Sequence, residues 1–590
     1  MNDHQNKELL SNPYGDASYD EFRKLGRAFV DKSSMIMELE SRDTPRYPVL
    51  LRPRRFGKST FVQMLKCFYD ISYGDRYDEI FSGTDVYAAK LASHNTFHVL
   101  NFNFSGVSGD DKQTLIGDFV EAIVSGLADF IDRYPDFALN LAELEKRTPS
   151  DIMKYFLGAY ERYHSLKSLY IMIDEYDSFA NSLLSKNMNL FKAMTDAVVF
   201  LKDFYAAIKE GAETCVAKTF ITGVSSVSLD SLTSGFNIAL NISSDENFNS
   251  YAGFTEEELI RLIPQLVDTE KLGVGVDEII SRMKPVYDGY CFSEDARETV
   301  FNSSMCLYYL RCVSKKRVFL APEKCLDPAS DYDSSKLGQL FALAKEGLTE
   351  EITNTYLRGG VFFLNGLAKN LNLNKIFRYD KAELLSMLFY LGYLTIDRER
   401  SQIDRLALKI PNLYMSKLFA QCVADVRLKE NRVFSESDLD VSALLDVSDD
   451  IASFSESCTE FLGRIFTSRV LTRMSEMALN LTLYTKLSTM NSSDIFAEMQ
   501  KSLRVVGDGE KFADLVVTAN PGQDSECVYL FELKYAPKAN AVESRMDALL
   551  NEASEQVLEY RSAVEFRGKT VKAYAMVFVG SSCARWRMLE

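Results

Sequence analysis

Residues Arg52-Pro53-Arg54-Arg55-Phe56-Gly57-Lys58-Ser59 carry the residue types of a phosphate-binding loop. The general pattern is GxxxxGK[ST]; here the second Gly, the Lys and the Ser are present, and Arg52 stands in place of the first Gly. Gly57 lets backbone N–H groups approach phosphate oxygens with no Cβ in the way. The Lys58 ammonium suits the β- and γ-phosphates of a nucleotide. The Ser59 hydroxyl suits Mg²⁺ at a helix N-terminus, where the dipole favours anions. With Arg55, Phe56 and Thr60 these residues form the candidate cofactor-binding run 55–60. Arg52, Arg54, Arg55 and Lys58 place four positive charges in seven residues of an otherwise acidic chain. A GKS tripeptide alone also fits a basic surface turn.

Tyr170-Ile-Met-Ile-Asp174-Glu175 is an apolar run ending in two acids. Asp174, at the carboxyl end of a parallel strand, suits a metal-ligand role toward Mg²⁺, and Glu175 suits orienting or activating the attacking water. Ligands of open α/β sheets bind at the carboxyl ends of the strands, so the two motifs are expected to converge there. Asp177 reads as structural. Thr222, Ser225 and Ser226, at the end of KTFITG, fit either a γ-phosphate sensor or ordinary turn chemistry.

A third constellation lies near the C-terminus. Asp514 sits in KFADLVV, and Glu532 and Lys534 sit in YLFELKY. Residues i and i+2 of a strand share a face, so Glu532 and Lys534 point together, and a hairpin brings Asp514 to them. Two carboxylates can hold a divalent cation, and the lysine can position water and stabilise a pentavalent phosphate. The candidate catalytic set is therefore Asp514, Glu532 and Lys534, with Asp514 and Glu532 as metal ligands. Gln556 and Tyr560, four apart on the next helix, either support the site or form a packing pair. The plainer alternative is a surface ladder with a Glu/Lys pair.

Such groups need elements to hold them. YPVLL (47–51) reads as a strand, and 59–71, with Phe61, Met64, Leu65 and Phe68 at helical spacing, as a helix. Strands are expected over 96–105, 168–177 and 218–225, and a helical stretch over 111–165. Strands alternating with helices of this length indicate a parallel sheet. Thr255 and Glu258 form a capping pattern opening a mostly helical region, 255–430, with short strands at 391–396 and 405–411. Residues 430–450 turn polar and acidic, as a linker or an exposed face would. Strands return at 511–519, 527–535 and 571–580, with a helix over 541–562.

Composition bounds the rest. The 590 residues, 46% apolar and 26% charged, suit a globular chain of several domains. The net charge of −17 argues against a protein that coats nucleic acid over a broad basic face. The last 90 residues carry 12 Lys or Arg and 13 Asp or Glu, so the acidity lies upstream of them. Ten scattered cysteines without a CxxC pair indicate free thiols in a reducing compartment. The four histidines, His4, His94, His98 and His164, leave the C-terminal half without one, which excludes a His-based zinc site or triad there. His94 and His98 read as structural. A polar N-terminus and the lack of any apolar run of about 20 residues predict a cytoplasmic protein with no membrane partner.

FVDKSSMI (29–36), RPRRFGKS (52–59), IMIDEYD (171–177), ITGVSSVSLDSLTSGFNIALNIS (221–243), GFTEEEL (253–259), YDGYCFS (287–293) and FYLGYLTI (389–396) together resemble the AAA-ATPase-like proteins that carry a C-terminal PD-(D/E)XK nuclease-superfamily domain. ADLVV, FELKY and the Gln556–Tyr560 helix resemble that second module. The resemblance implies an α/β chain: a P-loop NTPase parallel sheet (18–250), a mostly helical middle (251–430) and a restriction-endonuclease-like α/β domain (440–590). It implies that Lys58 and Ser59 bind ATP and Mg²⁺, that Asp174 and Glu175 serve hydrolysis, and that Asp514, Glu532 and Lys534 take the nuclease positions. Ala513-Asp514 stands where the family has Pro-Asp, and Glu498 is the candidate for an upstream helical acid.

Two functions follow as expectations. In one, ATP hydrolysis drives or gates a metal-dependent nuclease acting on nucleic acid, DNA first, with a homo-oligomer compatible with the site. In the other, a nucleotide-gated switch binds nucleic acid or protein through its C-terminal fold without cutting. Arg282 and Lys284 are further candidates for leaning toward the nucleotide, and Tyr287-Asp288-Gly289-Tyr290 reads as a turn with aromatic packing.

Overall fold

The computed structural model describes residues 9–108, 111–164, 168–178, 199–227, 235–320, 337–341, 347–368, 379–420, 439–447, 451–471, 474–489, 495–505, 509–538 and 541–589, with residues 322, 325, 327, 344, 371 and 422. They fall into two compact units. One is drawn from Met1–Ser330, Leu343–Lys345 and Phe363–Asn412, the other from Asp331–Ala342, Glu346–Phe362 and Leu413–Glu590.

The first unit is built on a five-stranded sheet of β1 (Pro48–Leu51), β2 (His98–Asn103), β3 (Leu169–Asp174), β4 (Val216–Gly223) and β5 (Leu240–Asn241). The order is β2-β3-β4-β1-β5, and every neighbouring pair is parallel. β1 and β3 are buried along their whole length, which explains their unbroken apolar sequences. The register pairs Leu51 with Gly223, Ile173 with Ile221, and Asn103 with Asp174, so the carboxyl ends of four strands lie level.

The helix Lys58–Tyr69 follows β1 and buries Phe61, Val62, Met64, Leu65 and Phe68. The helical stretch read over 111–165 is broken into two long helices with a short one, Leu141–Leu144, between them. The first helix, Lys112–Arg133, is capped by the Asp111 carboxylate on the Thr114 N–H. It stops at Tyr134, whose place before Pro135 disfavours the helical conformation. The second, Pro149–Tyr163, restarts behind a Thr148 cap with proline in its first turn, where a missing N–H costs nothing. The capping box of Thr255 and Glu258 forms at the head of Glu256–Leu266. Later come β6 (Val361–Leu364), where the chain passes from the second unit to the first, and the antiparallel pair β7 (Thr395–Ile396) and β8 (Leu406–Lys409).

The second unit centres on a mixed sheet, order β13-β12-β11-β10-β9, of β9 (Ile495–Val505), β10 (Gly509–Ala519), β11 (Cys527–Ala536), β12 (Thr570–Val579) and β13 (Ser582–Leu589). β9, β10 and β11 meander antiparallel, whereas β11 and β12 are parallel and are joined through the helix Glu543–Arg561. Such a connection needs a crossover of this size. Val528 and Leu530 pack with Val557 and Tyr560 of that helix, while Phe531 on the other face meets Phe454 of the helix Ala452–Ile465 at 5.5 Å between ring centroids. All ten positions of β11 are buried.

Part of the polar stretch 430–450 lies outside the described residues. The part that is described, 439–447, docks on this second sheet. Leu444 is buried, its carbonyl accepts from the Tyr529 hydroxyl at 3.0 Å, and the Val447 carbonyl accepts from Lys572 at 2.6 Å. Among the described residues no helix is long and apolar enough to cross a membrane.

Candidate functional site

Gly57 caps the helix Lys58–Tyr69 in the left-handed region, φ +89°, so the loop arrives with its glycine where a side chain is strained. Arg55 before it is also left-handed, φ +68°. Lys58 is buried at the first helical position. Its ammonium donates to the Pro53 carbonyl at 3.2 Å and lies 3.6 Å from Glu175 Oε1. The Ser59 hydroxyl donates to Asp174, one strand beyond β4. The sheet therefore brings Lys58, Ser59, Asp174 and Glu175 together at its carboxyl edge. Glu175 takes φ +57°, a conformation uncommon outside glycine that concentrates at functional sites.

Burial raises the Asp174 carboxyl above its ordinary range. The neighbouring Glu175 adds to this, and Ser59 and Lys58 oppose it. Its Oδ1 is buried without a hydrogen-bond partner. An unsatisfied hard oxygen beside a serine hydroxyl and a lysine fits a hydrated Mg²⁺ that carries nucleotide phosphates.

Arg52 departs from the expected cluster of four cations. Its guanidinium turns inward, donating to the Leu51, Ser243 and Phe248 carbonyls at 2.7 to 2.8 Å and lying 4.3 Å from the Phe292 ring centroid. Burial lowers its pKa to about 10. Phe56 presents only backbone to the loop, because its ring is buried edge-on against Tyr290 at 4.8 Å and Phe292 at 5.7 Å. Its carbonyl accepts from the Gly253 N–H at 2.7 Å. The Arg55 carbonyl accepts from the Ser303 hydroxyl at 3.1 Å and the Ser304 N–H at 3.2 Å. Sequence reasoning missed these outer braces; their signal is that Gly253, YDGYCFS and the Asn302-capped helix lie far along the chain from the loop they hold.

The sensor candidates are engaged elsewhere. The Thr222 hydroxyl donates to the Leu50 carbonyl at 2.6 Å. Asp177 accepts from Val224 N–H at 2.9 Å and from Ser225 N–H and hydroxyl at 2.7 Å each, a clamp joining the β3 and β4 ends. The Ser226 hydroxyl is 3.4 Å from the Ala368 carbonyl. Lys284 pairs with Glu256 at 2.6 Å, and Arg282 lies over the Phe319 ring. His94 stacks on Tyr77, and His98 shares a 2.7 Å hydrogen bond with the Tyr160 hydroxyl. Gly289 passes so close to Pro411 that a Cβ would lie 2.1 Å from its carbonyl oxygen.

In the second unit the register pairing Leu515 with Phe531 sets Asp514 against Glu532. Asp514 Oδ2 accepts from the Leu533 N–H at 3.0 Å. Lys534 Nζ lies 3.3 Å from Glu532, 3.6 Å from Glu476 and 3.5 Å from Glu552. Glu498 sits on strand β9 opposite Val516, not on a helix. The helical acid that reaches the cluster is Glu476, in the first turn of Glu476–Thr489, which also accepts from the Tyr535 N–H at 3.3 Å. A lone acid opening an apolar helix is a faint signal in sequence. Glu552, Gln556 and Tyr560 recur every four residues on one face of their helix.

Burial, and then the Asp514 charge, push the Glu532 carboxyl up to about 8, against the pull of Lys534. Burial works against the Lys534 ammonium, but Glu476 and Glu532 outweigh it and hold its pKa above the ordinary value. Glu532 Oε2 and Gln556 Oε1 are buried without partners, which fits a cation beside Asp514 and Glu532. Among the described residues, however, no group of three His, Cys, Asp or Glu side chains is disposed to hold a metal. What the geometry presents is a carboxylate pair with a lysine lodged among the acids.

Residues 13–233 match a family described as predicted AAA-ATPase. That stretch contains the loop, β3 and its acids. The chain is also similar to an uncharacterized protein in the vnfD 5′ region of Azotobacter chroococcum mcd 1, 26% identical over 274 residues, or 45% of this chain and 46% of that one. The match thus spans less than half the length of that relative, and the likeness to an AAA-ATPase-like family, with the nucleotide binding it suggests, rests on the N-terminal region.

Proposed function

We propose that the chain is an ATP-binding, ATP-hydrolysing P-loop protein whose second unit is a metal-dependent, nuclease-like module acting on nucleic acid. The observation that carries the nucleotide half is the meeting of Lys58, Ser59, Asp174 and Glu175 at the edge of one parallel sheet. Lys58 and the backbone of 55–60 hold the triphosphate, Ser59 and Asp174 hold Mg²⁺, and Glu175 orients water. Bound Mg²⁺ supplies charge neutralisation on the phosphates. The match of 13–233 to the predicted AAA-ATPase family supports this reading. In the second unit Asp514 and Glu532 take a divalent cation, and Lys534 steadies charge on a phosphodiester. Self-association belongs to the same proposal and is read by sedimentation with and without ATP.

The test is ATP turnover by the full chain. Lys58→Ala should abolish nucleotide binding. Glu175→Gln should keep binding and lose on the order of 10²-fold or more in turnover. Magnesium- or manganese-dependent cleavage of DNA or RNA, lost in Asp514→Ala while ATPase persists, tests the second unit. One observation favours the alternative, a nucleotide-gated module that binds without cutting: Lys534 sits among three carboxylates, and among the described residues no group of three His, Cys, Asp or Glu side chains is disposed to hold a metal. Retention of nucleic acid with no cleavage under either metal would select it.

A further inference from the structure

Two successive carbonyls of the phosphate loop are held by donors far along the chain. The Arg55 carbonyl takes the Ser303 hydroxyl and the Ser304 N–H, and the Phe56 carbonyl takes the Gly253 N–H. These donors are themselves fixed. Phe254 and Phe301 exchange backbone hydrogen bonds of 3.0 and 2.8 Å, and the Asn302 N–H donates to the Tyr287 carbonyl at 2.9 Å. The Asn302 side chain caps the helix Ser303–Lys316, accepting from the Met305 N–H at 3.2 Å. Gly253 is left-handed, φ +88°, and a Cβ there would lie 2.9 Å from the Phe301 carbonyl and 3.1 Å from the Phe56 ring. So close an approach to the loop needs glycine. Ser303 is buried, and its hydroxyl lies 3.7 Å from where a Cβ on Gly57 would stand. In a planar trans peptide the carbonyl of one residue and the N–H of the next point to opposite sides. Holding the Arg55 carbonyl toward Ser303 therefore turns the Phe56 N–H away from Ser303. Holding the Phe56 carbonyl toward Gly253 turns the Gly57 N–H away from Gly253. Arg55 and Gly57 are left-handed and Phe56 between them is not, an alternation of backbone hand that gathers successive N–H groups around an anion.

We propose that Ser303 is a positioning residue for the triphosphate: with the Ser304 and Gly253 N–H groups it holds two loop carbonyls outward, and so presents the Phe56 and Gly57 N–H groups to phosphate oxygens. It acts through the loop, from 248 residues along the chain, and not on the ligand. The inference rests on the P-loop reading above and adds what sets the direction of the loop's donors. Calorimetric titration of the full chain with ATP and with inorganic tripolyphosphate, each with Mg²⁺, tests it. Ser303→Ala takes one donor from the Arg55 carbonyl and should weaken both ligands by the same factor, about threefold or more. Ser303→Thr keeps the hydroxyl and should bind both as wild type does. In steady-state ATP turnover the KM of Ser303→Ala should rise by that factor with kcat nearly unchanged, because phosphate contacts are made in the ground and transition states alike. A smaller loss, a loss for ATP alone, a fall in kcat without a rise in KM, or Ser303→Thr binding as weakly as Ser303→Ala overturns the inference. Should Ser303→Ala melt below wild type without ligand, Ser304→Pro decides. It deletes the other donor in the first turn of a helix, where proline is tolerated, and the same paired loss is expected; unchanged affinity there overturns the inference. Wild-type binding that is lost in Lys58→Ala but unchanged in Ser303→Ala overturns it alone, whereas a wild type binding neither ligand overturns the P-loop reading as well.

Discussion

The guanidinium of Arg52 spans three carbonyls that β1 and the 243–248 segment would otherwise leave without these donors. Arg52→Ala strands them, and Arg52→Lys keeps a charge but lacks the planar fork that reaches all three. Both variants should lose stability, Arg52→Ala by about 3 kcal/mol or more, read as a lower denaturant midpoint. Residue type alone could not separate Arg52 from the loop's other cations, since burial is decided by elements 191 residues away. Glu532 makes a pH prediction. Its folded pKa, about 8, lies above the ordinary 4.5. Between those values the folded state holds a proton that the unfolded state has released, so its contribution is full below pH 4.5 and is lost as pH rises through 8. Metal-free protein should lose melting temperature from pH 5 to 8, and Glu532→Gln should flatten that slope. Divalent-cation affinity should rise over the same window, because the ligand must lose its proton. A Mg²⁺ or Mn²⁺ affinity independent of pH would remove Glu532 from the ligand set.

At the scale of elements, the end of β4 shows how tightly the edge of the sheet is fixed. A Cβ on Gly223 would lie 2.4 Å from Asp177 Oδ1 and 2.5 Å from the Tyr176 ring. Gly223→Ala should therefore push Asp177 off Val224 and Ser225, costing roughly 2–3 kcal/mol. It should also misplace Glu175 two residues away, so ATP turnover should fall more than ATP binding. Equal stability and turnover in this variant would mean that the clamp does not position the site. Such elements were legible in sequence where the signal is local. Buried parallel strands read as unbroken apolar runs, Thr255 and Glu258 read as a cap, and Phe61, Met64, Leu65 and Phe68 read as a helical stripe. The edge strands β9 and β13 were not read, because lysine, arginine and glutamate interrupt their alternation. Glu476 needed the folded unit: its distance to Lys534 depends on how an apolar helix meets β11, and no spacing in the chain encodes that.

At the scale of the whole molecule, the two candidate sites lie in different compact units, and the proposed function gives them different ligands. A ligand that binds only the folded state stabilises it by RT ln(1 + [L]/Kd), about 2.7 kcal/mol at a hundredfold excess over Kd. Heat denaturation of the full chain should therefore show a component that moves with ATP plus Mg²⁺ and one that moves with Mn²⁺ alone at pH 8. Lys58→Ala should remove the first shift and spare the second, and Asp514→Ala should do the reverse. Net charge sharpens the expectation for nucleic acid. With −17 on the chain and a near-neutral last 90 residues, the composition favours few phosphate contacts, so binding should weaken only shallowly with added salt. A steep salt slope would instead point to a local cationic cleft on the otherwise acidic chain. If Lys58→Ala also abolished the Mn²⁺ shift, the sites would be one cooperative system, and the assignment of nucleotide to one unit and metal to the other would fail.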